Sequence, residues 1–271
     1  MSVEPSQNST SSGAVRTEID DSVGWLIIDN PLKRNALTLA MWEAVPDAVA
    51  RLEATAAVRV IILRGAGAKS FVAGADISEF EQTRATSDKA KVYEDINVAA
   101  FRALKNCEKP TIAMIRGHCL GGGLGLALAC DLRVADPTAV FGIPAARLGI
   151  AYPVEAIADI LQAVPPAAAK RLLFTAERVG SAEALRIGLI DEVSAEGALA
   201  ERIENLAETM GGNAPLTLRA AKRAVSAFLS GGGAAEMDAA RVAAERCFDS
   251  EDFKEGRDAF LQKRSPTFRG I

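Results

Sequence analysis

The sequence predicts an α/β protein with a helical C-terminal region, on three observations. Apolar runs of strand length alternate with segments of helical periodicity over much of the 271-residue chain, which is the pattern of sheets covered by helices. After residue 195 the periodicity is helical only. Glycine-rich turns stand between predicted strands and predicted helices at two places, where a change of chain direction favours glycine.

Five apolar runs are predicted strands, and the segments between them are predicted mainly as helices. The first predicted helix, 38–55, carries apolar residues at helical spacing from Trp42 to Leu52. Thr38 is its predicted N-cap, and Pro46 interrupts the pattern and favours a kink. The predicted strands are 23–29, 58–63, 111–115, 132–135 and 190–193.

The domain organisation follows from these patterns. We expect a core at residues 16–195 and a helical region at residues 196–271. Residues 1–15 are rich in Ser, Asn and Thr and lack the apolar segment of a signal peptide, so they are predicted to form a disordered arm. The predicted C-terminal helices are 197–210, 215–229, 234–248 and 252–264.

Composition excludes several function classes. The net charge of −4 argues against nucleic acid as the main partner, so an anionic ligand needs a local basic site. No apolar run is long enough for a membrane span. The four cysteines lack metal-ligand spacing, and His118 is the only histidine and is expected to be packed and hydrogen-bonded. We therefore expect no metal site, reduced thiols and a cytoplasmic location.

The segment 117–125, Gly-His-Cys-Leu-Gly-Gly-Gly-Leu-Gly, is the most informative feature of the chain. It follows the strand predicted at 111–115 and precedes an apolar helix-like run. Bare backbone N–H groups at a helix N-terminus can hold a phosphate or stabilise an oxyanion. A P-loop is excluded because no Lys-Ser/Thr follows the glycines, and Leu126 and Leu128 stand where a dinucleotide fingerprint requires glycine. An NAD-dependent dehydrogenase is therefore disfavoured.

A second small-residue loop lies upstream. Residues 71–77, Phe-Val-Ala-Gly-Ala-Asp-Ile, follow the strand predicted at 58–63 and its turn. Asp76 is predicted to cap the polar helix that starts at Ser78. Two such loops, each after a strand, can direct one N–H apiece at a single oxygen, which is the geometry of an oxyanion hole.

In these motifs and their order, the chain resembles the crotonase (enoyl-CoA hydratase/isomerase) superfamily over about residues 17–269. The resemblance implies a ClpP-like spiral of repeated ββα units, followed by helices used in trimerisation. It also implies an acyl-CoA thioester substrate, with coenzyme A part of that substrate and no further cofactor, and a homotrimer or dimer of trimers. The matching segments are 73–77, 120–123, 131–135, 141–144, 147–149, 175–178, 184–190, 253–256 and 260–264.

The resemblance also implies roles for individual residues. The backbone N–H groups of Ala73 and Gly122 would form the oxyanion hole. Lys33 and Arg34 would meet the coenzyme A phosphates, although the residues alone are equally consistent with a solvated basic turn. The other expected coenzyme A contacts are Ala36, Ala75, Asp76, Ile77 and Gly121, together with Phe260 and Lys263, which would reach coenzyme A bound mainly by another subunit.

The two glutamates of family hydratases are absent, because Gly125 and Ala145 occupy their positions. Ordinary hydratase or isomerase activity is therefore not expected. Tyr152 matches a tyrosine of superfamily decarboxylases, although those enzymes carry histidine at the position of Ala75. Glu155 is a second candidate catalytic residue, and a helix-start glutamate is its alternative interpretation. The open alternatives are an acyl-CoA decarboxylase or hydrolase that uses Tyr152, and a non-catalytic acyl-CoA-binding protein.

Overall fold

The computed structural model describes residues 13–271, and residues 1–12 lie outside the described part. Most of the predicted arm 1–15 therefore falls outside it. Its last two residues belong to the first strand, which is a correction: this strand pairs along its whole length with the second strand, from Ala14 opposite Asp29 to Asp20 opposite Val23. Sequence did not predict it because most of its side chains are exposed and polar.

Ten strands and twelve α-helices make up residues 13–271. The strands are β1 (Ala14–Asp20), β2 (Val23–Asp29), β3 (Val60–Gly65), β4 (Ser70–Val72), β5 (Thr111–Ile115), β6 (His118–Leu120), β7 (Leu132–Ala135), β8 (Val140–Gly142), β9 (Val179–Gly180) and β10 (Glu192–Val193). The helices are α1 (Leu39–Ala54), α2 (Phe80–Thr83), α3 (Ser87–Asn106), α4 (Gly122–Leu128), α5 (Ala145–Leu148), α6 (Val154–Ala163), α7 (Pro166–Thr175), α8 (Ser181–Arg186), α9 (Leu199–Gly211), α10 (Pro215–Leu229), α11 (Ala234–Phe248) and α12 (Glu251–Gln262).

The strands form two sheets that the chain visits in turn. The larger sheet has the order β1-β2-β3-β5-β7-β10, and all its pairs are parallel except β1 with β2. The smaller sheet has the order β4-β6-β8-β9. Three times in succession, a strand of the larger sheet is followed by a strand of the smaller sheet and then by a helix. This is the repeated ββα arrangement expected from the resemblance.

All five predicted strands are present in the larger sheet, with shifts of one to two residues at 58–63 and 190–193. The smaller sheet was not predicted from sequence. Its strands are two or three residues long, which is too short for an alternating pattern to be recognised.

Helix α1 begins where the sequence predicted. The Thr38 hydroxyl accepts a hydrogen bond from the N–H of Met41, and the helix continues through Pro46. Its buried face includes Trp42 and Leu52 and belongs to the main apolar core. This helix packs against α3, so α1 and α3 together form one wall beside the glycine loop.

The C-terminal helices lie close to their predicted bounds. Helix α9 packs Leu199, Ile203 and Ala207 against the larger sheet, where they form a second apolar cluster with strand residues such as Ile62 and Ile112. No helix within residues 13–271 combines the length and apolar character needed to cross a lipid bilayer.

Candidate active site

The two small-residue loops lie against each other at the ends of β4 and β6. Gly74 has a φ of 102°, in the region that favours glycine. A Cβ atom at Gly74 would lie 3.0 Å from the carbonyl oxygen of Leu120 and 3.8 Å from the nitrogen of Gly122. The approach predicted from sequence is therefore present, and glycine at residue 74 permits it.

The donor contributed by the first loop is not the one expected. The N–H of Ala73 donates to the carbonyl of Arg34 at 3.1 Å, so this N–H is already used within the fold. Leu37 fixes the next part of the loop, because its N–H donates to the carbonyl of Gly74 and its carbonyl accepts from the N–H of Asp76. Between these two contacts, the N–H of Ala75 has no acceptor among residues 13–271. Ala75 therefore replaces Ala73 as the candidate donor.

In the second loop, the N–H of Gly122 remains the candidate donor. Gly122 is the first residue of α4, and the N–H groups of a first helical turn have no acceptor within the helix. The turn before it depends on Gly121, whose φ is 51°. A Cβ atom at Gly122 would lie 2.8 Å from the Trp42 ring, so only glycine fits here without displacing the indole.

A cavity of about 90 Å³ opens beside both loops. It contains Ala75 and Gly122 in its wall, and most of its other lining residues are apolar. Arg84 is the one charged residue among the described residues that line it. The remaining lining residues are Ala73, Gly74, Ile77, Phe80, Asn97, Phe101, Gly121, Ile143, Pro144, Ala145, Leu148, Ile150, Ala151, Tyr152 and Pro153.

No carboxylate enters this cavity from residues 125 or 145. A Cβ atom at Gly125 would lie 2.5 Å from the Phe101 ring, so that ring occupies the space where a longer side chain would start. Phe101 is in turn held edge-on against Trp42, with ring centroids 5.8 Å apart. Ala145 lines the cavity and is buried. The general acid–base chemistry of a carboxylate pair is therefore not available from these two positions.

Tyr152, a candidate catalytic residue by the family resemblance, lines the cavity. Its hydroxyl donates to the carbonyl oxygen of Gly121 at 3.1 Å. Burial raises the pKa of Tyr152 well above its ordinary value, with smaller contributions from Cys119 and Asp159. Tyr152 is thus a neutral phenol whose proton is directed at the peptide preceding Gly122.

Glu155 does not belong to this cavity, which corrects its assignment as a catalytic candidate. Its side chain is more than half exposed and lies 4.0 Å from the guanidinium of Arg102. It lines a different surface cleft, together with Lys105 and Asp159. Glu155 lies in the first turn of α6, where the helix dipole favours an acidic residue.

The residues expected to meet coenzyme A form two groups. Near the cavity, the ammonium of Lys33 lies 2.6 Å from a carboxylate oxygen of the buried Asp76. Burial by itself would raise the pKa of Asp76, but the hydrogen bonds from Lys33 and Ser78 lower it below its ordinary value. The side chain of Lys33 remains half exposed.

The other expected contacts are more scattered. Arg34 is exposed and has a φ of 55°, and Ala36 is buried. Ile77 lines the cavity although its side chain is largely exposed. Phe260 and Lys263 lie at the end of α12, exposed to solvent, and do not line the cavity of their own chain.

His118 is a packed residue, as predicted. Its ring nitrogen Nδ1 lies 3.3 Å from the hydroxyl of Ser70. Burial lowers the pKa of His118, and the nearby charges of Arg34 and Arg178 lower it further. Its position on β6 places it in the smaller sheet, and it does not line the cavity.

Sequence reasoning missed the far wall of the cavity, which α3 and the segment before it provide. Asn97 and Phe101 are four residues apart and therefore share one face of α3 with Tyr93. A buried asparagine on an otherwise apolar face was a visible signal. Arg84 gave no such signal in the sequence, because it lies in a polar stretch between two helices.

Comparison with known proteins agrees with this fold. The enoyl-CoA hydratase/isomerase family model matches residues 18–270. The chain is 34% identical over 251 residues to a short-chain-enoyl-CoA hydratase of Clostridium acetobutylicum, covering 91% of this chain and 94% of the relative. It is also 34% identical to a crotonyl-CoA hydratase of Syntrophomonas wolfei, over 93% of this chain and 96% of the relative.

A solved structure of an enoyl-CoA hydratase has the same fold. A crystal structure of an enoyl-CoA hydratase from Bacillus anthracis superposes with a TM-score of 0.88 at 28% identity, covering 95% of this chain and 99% of the other. The chain therefore belongs to the enoyl-CoA hydratase/isomerase family, within the crotonase superfamily.

Proposed function

We propose that this enzyme binds an acyl-CoA thioester and stabilises its enolate with the backbone N–H groups of Ala75 and Gly122. The observation that carries the proposal is the pair of unoccupied donors, one on each of two loops in contact, in the wall of one cavity. When a group leaves the α-carbon of a thioester, negative charge develops on the carbonyl oxygen. Preset donors bind that charge more strongly than the neutral substrate, which lowers the barrier.

Ordinary hydration of enoyl-CoA is not part of the proposal. Adding water across a double bond requires a group that accepts a proton from the water, and Gly125 and Ala145 cannot do so. Tyr152 is a poor replacement, since its raised pKa keeps it protonated. We expect crotonyl-CoA to be hydrated several powers of ten more slowly than by family members that retain both glutamates.

Decarboxylation or hydrolysis of a carboxylated or β-keto acyl-CoA is the second candidate reaction. Loss of carbon dioxide forms the enolate without a base, so it needs an oxyanion hole and a means of orienting the leaving carboxylate. A cavity wall with one cation and no carboxylate favours this chemistry over proton abstraction. Tyr152 would then act through the Gly121 carbonyl, to which its hydroxyl already donates.

The coenzyme A portion is proposed to lie along the first loop and the turn before α1. Lys33, Arg34 and Ala36 would line the phosphate and adenine end, and Ala75, Asp76, Ile77 and Gly121 would meet the pantetheine. Lys33 retains one N–H after its contacts with Asp76 and Ser78, which leaves it able to donate to a phosphate.

Phe260 and Lys263 are proposed to act on a neighbouring subunit of a homotrimer or a dimer of trimers. The support is the exposure of large apolar side chains on the C-terminal helices, where solvent exposure is unfavourable. A cytoplasmic location is proposed with this assembly. The exposed apolar residues are Val225, Phe228, Leu229, Val242, Phe248, Phe253, Phe260 and Leu261.

One experiment tests the proposed function directly. The purified enzyme is incubated with a mixed acyl-CoA library in deuterated water, and substrate loss and deuterium uptake are followed by mass spectrometry. We expect one class of ester to be consumed or to gain deuterium at its α-carbon. Rapid hydration of crotonyl-CoA would contradict the proposal, whereas tight binding without turnover of any ester would identify a non-catalytic binding protein.

A further inference from the structure

Four residues near the cavity carry buried polar atoms without a hydrogen-bond partner in the described part of the chain, and two of these residues, Arg84 and Asn97, line it. Within residues 13–271, six buried side-chain polar atoms have no hydrogen-bond partner. Four of them belong to Trp42, Arg84, Tyr93 and Asn97. Because an unpaired buried polar atom is costly, those that line the cavity indicate a ligand that pairs with them.

The four residues lie close together. Tyr93 and Asn97 are one helical turn apart on α3 and are 2% and 5% exposed. The guanidinium of Arg84 lies 4.4 Å from the ring centroid of Tyr93. Burial raises the pKa of the Tyr93 phenol to about 12, while Arg84 and the Trp42 indole N–H, which points toward the phenol oxygen, lower it. The phenol and the indole N–H are therefore directed at each other and not at a ligand. Arg84 and Asn97 themselves line the cavity.

The charge of Arg84 is held in place but is not balanced by an acid. Its guanidinium lies between the rings of Phe80 and Tyr93, 4.8 Å from the first centroid, and cation–π contact is favourable there. No carboxylate within the described residues forms an ion pair with it. With glycine at 125 and alanine at 145, the cavity is left with one cation and no anion in its wall.

The unpartnered groups define the ligand. Of the two that line the cavity, the guanidinium of Arg84 is a donor only, whereas the unpaired atom of Asn97 is its carbonyl oxygen Oδ1, an acceptor. A carboxylate matches the guanidinium, which binds it through two parallel hydrogen bonds. A plain alkyl chain would leave the charge of Arg84 without a partner, which is a strong means of rejecting a ligand.

We propose that the cavity selects acyl-CoA thioesters whose acyl group carries a carboxylate, which is bound by Arg84. This inference rests on the proposed function, since it takes the cavity to be the acyl site. It adds the class of substrate, and it assigns specificity to Arg84 in the cavity wall.

The test compares two pairs of esters with equal carbon number by isothermal titration calorimetry. The pairs are succinyl-CoA with butyryl-CoA and glutaryl-CoA with valeryl-CoA. In the unmodified enzyme, the carboxylated member of at least one pair should bind ten times more tightly or better. Arg84→Gln should abolish that preference and leave the affinity for the alkyl esters within a factor of three. The control Arg51→Gln changes an exposed arginine of α1. It should alter neither the preference for the carboxylated ester nor the affinity for the alkyl esters.

The outcomes separate this inference from the proposed function. If no acyl-CoA binds, both are wrong. If the two members of each pair bind equally well, the selection of a carboxylate is wrong while the proposed function stands. If Arg84→Gln weakens alkyl esters and free coenzyme A by the same factor as carboxylated esters, Arg84 serves the coenzyme A phosphates and the inference is overturned.

A second variant, Arg84→Lys, guards against misfolding of the first. It keeps the positive charge and removes the two parallel donors of the guanidinium. We expect the preference for the carboxylated ester to fall severalfold. An unchanged preference in Arg84→Gln, or in Arg84→Lys if Arg84→Gln does not fold, would overturn the inference.

Discussion

The Tyr152 hydroxyl donates a hydrogen bond to the carbonyl oxygen of Gly121 at 3.1 Å. That carbonyl belongs to the same peptide unit as the N–H of Gly122, the proposed donor to the thioester oxygen. A hydrogen bond to a carbonyl polarises its peptide and strengthens donation by the N–H on the other side. Tyr152 can therefore influence catalysis without touching the substrate.

The first prediction follows for Tyr152→Phe. The variant leaves the partly buried Gly121 carbonyl without its donor, which costs about 1 kcal/mol of unfolding free energy. Turnover should fall through kcat, while KM changes little. Because the pKa of Tyr152 is raised, the pH–rate profiles of both enzymes should show the same ionisations between pH 6 and 9. Unchanged turnover on the best ester found in the library would exclude this role.

The second prediction concerns Gly122, where the structure leaves no room for a side chain. In Gly122→Ala the new methyl would lie 2.8 Å from the Trp42 ring, so the start of α4 or the indole must shift and misdirect the donor. Loss of one oxyanion donor typically lowers the rate by about 10²–10³, and we expect a decrease approaching that range in kcat. Steady-state kinetics on the same ester measures it.

Gly180→Ala is the matched control for this variant. A Cβ atom at Gly180 would have no heavy atom within 4 Å, and the residue has a φ of −82°. The control should keep full turnover and an unfolding free energy within about 0.5 kcal/mol of the original. Equal kinetics for the two alanine variants would show that Gly122 does not carry the donor.

Sequence predicted the larger elements because they are long enough to show periodicity. The strand 111–115 and the helices α10 and α11 have the expected bounds, and α12 differs from its predicted bounds by one or two residues. The choice of donor in the first loop could not be predicted, since Ala73 and Ala75 are chemically identical. Distant residues decide it: Arg34 binds the N–H of Ala73, and Leu37 fixes the peptides on either side of Ala75.

The third prediction concerns the missing carboxylate at Gly125. Gly125→Glu places an atom 2.5 Å from the Phe101 ring, and overpacking of this kind typically costs about 1–3 kcal/mol. The same change in a Phe101→Ala background should cost at least about 1 kcal/mol less, because the two residues are in contact. Urea denaturation of the original protein, the two single variants and the double variant gives the coupling energy between the two positions. If the two changes in unfolding free energy were strictly additive, the contact between residue 125 and Phe101 would be contradicted.

The fourth prediction extends that variant to activity. Adding Ala145→Glu to the Phe101→Ala, Gly125→Glu protein supplies the carboxylate pair that hydration requires. Crotonyl-CoA hydration, followed by loss of enoyl absorbance, should rise more than about tenfold over the original enzyme. The Phe101→Ala single variant is the control for opening the cavity alone, and a rise as large in that control would show that carboxylates are not the missing element.

The fifth prediction concerns pH and the buried Asp76, whose carboxylate accepts hydrogen bonds from Lys33 and from the N–H and hydroxyl of Ser78. These contacts lower the pKa of Asp76 in the folded protein below the ordinary value of 3.8. A lowered pKa means that the stabilisation is present above pH 4 and is lost as the pH falls through the folded value. Asp76→Asn should therefore cost about 1–2 kcal/mol at pH 7, after allowance for the half-exposed Lys33.

The difference in unfolding free energy between the original protein and Asp76→Asn should shrink steadily as the pH is lowered from 5 to 3. Urea denaturation at each pH measures it. Lys33→Gln is the control, because it removes the ion pair and keeps both contacts from Ser78. The loss of unfolding free energy in Lys33→Gln should be smaller than in Asp76→Asn, and it should also decrease as the pH falls. Asp76 directly follows Ala75 and also caps the turn Ile77–Glu79. If Asp76→Asn lowered the unfolding free energy equally at every pH, the side chain would stabilise this turn through neutral hydrogen bonds and packing, and not through its charge.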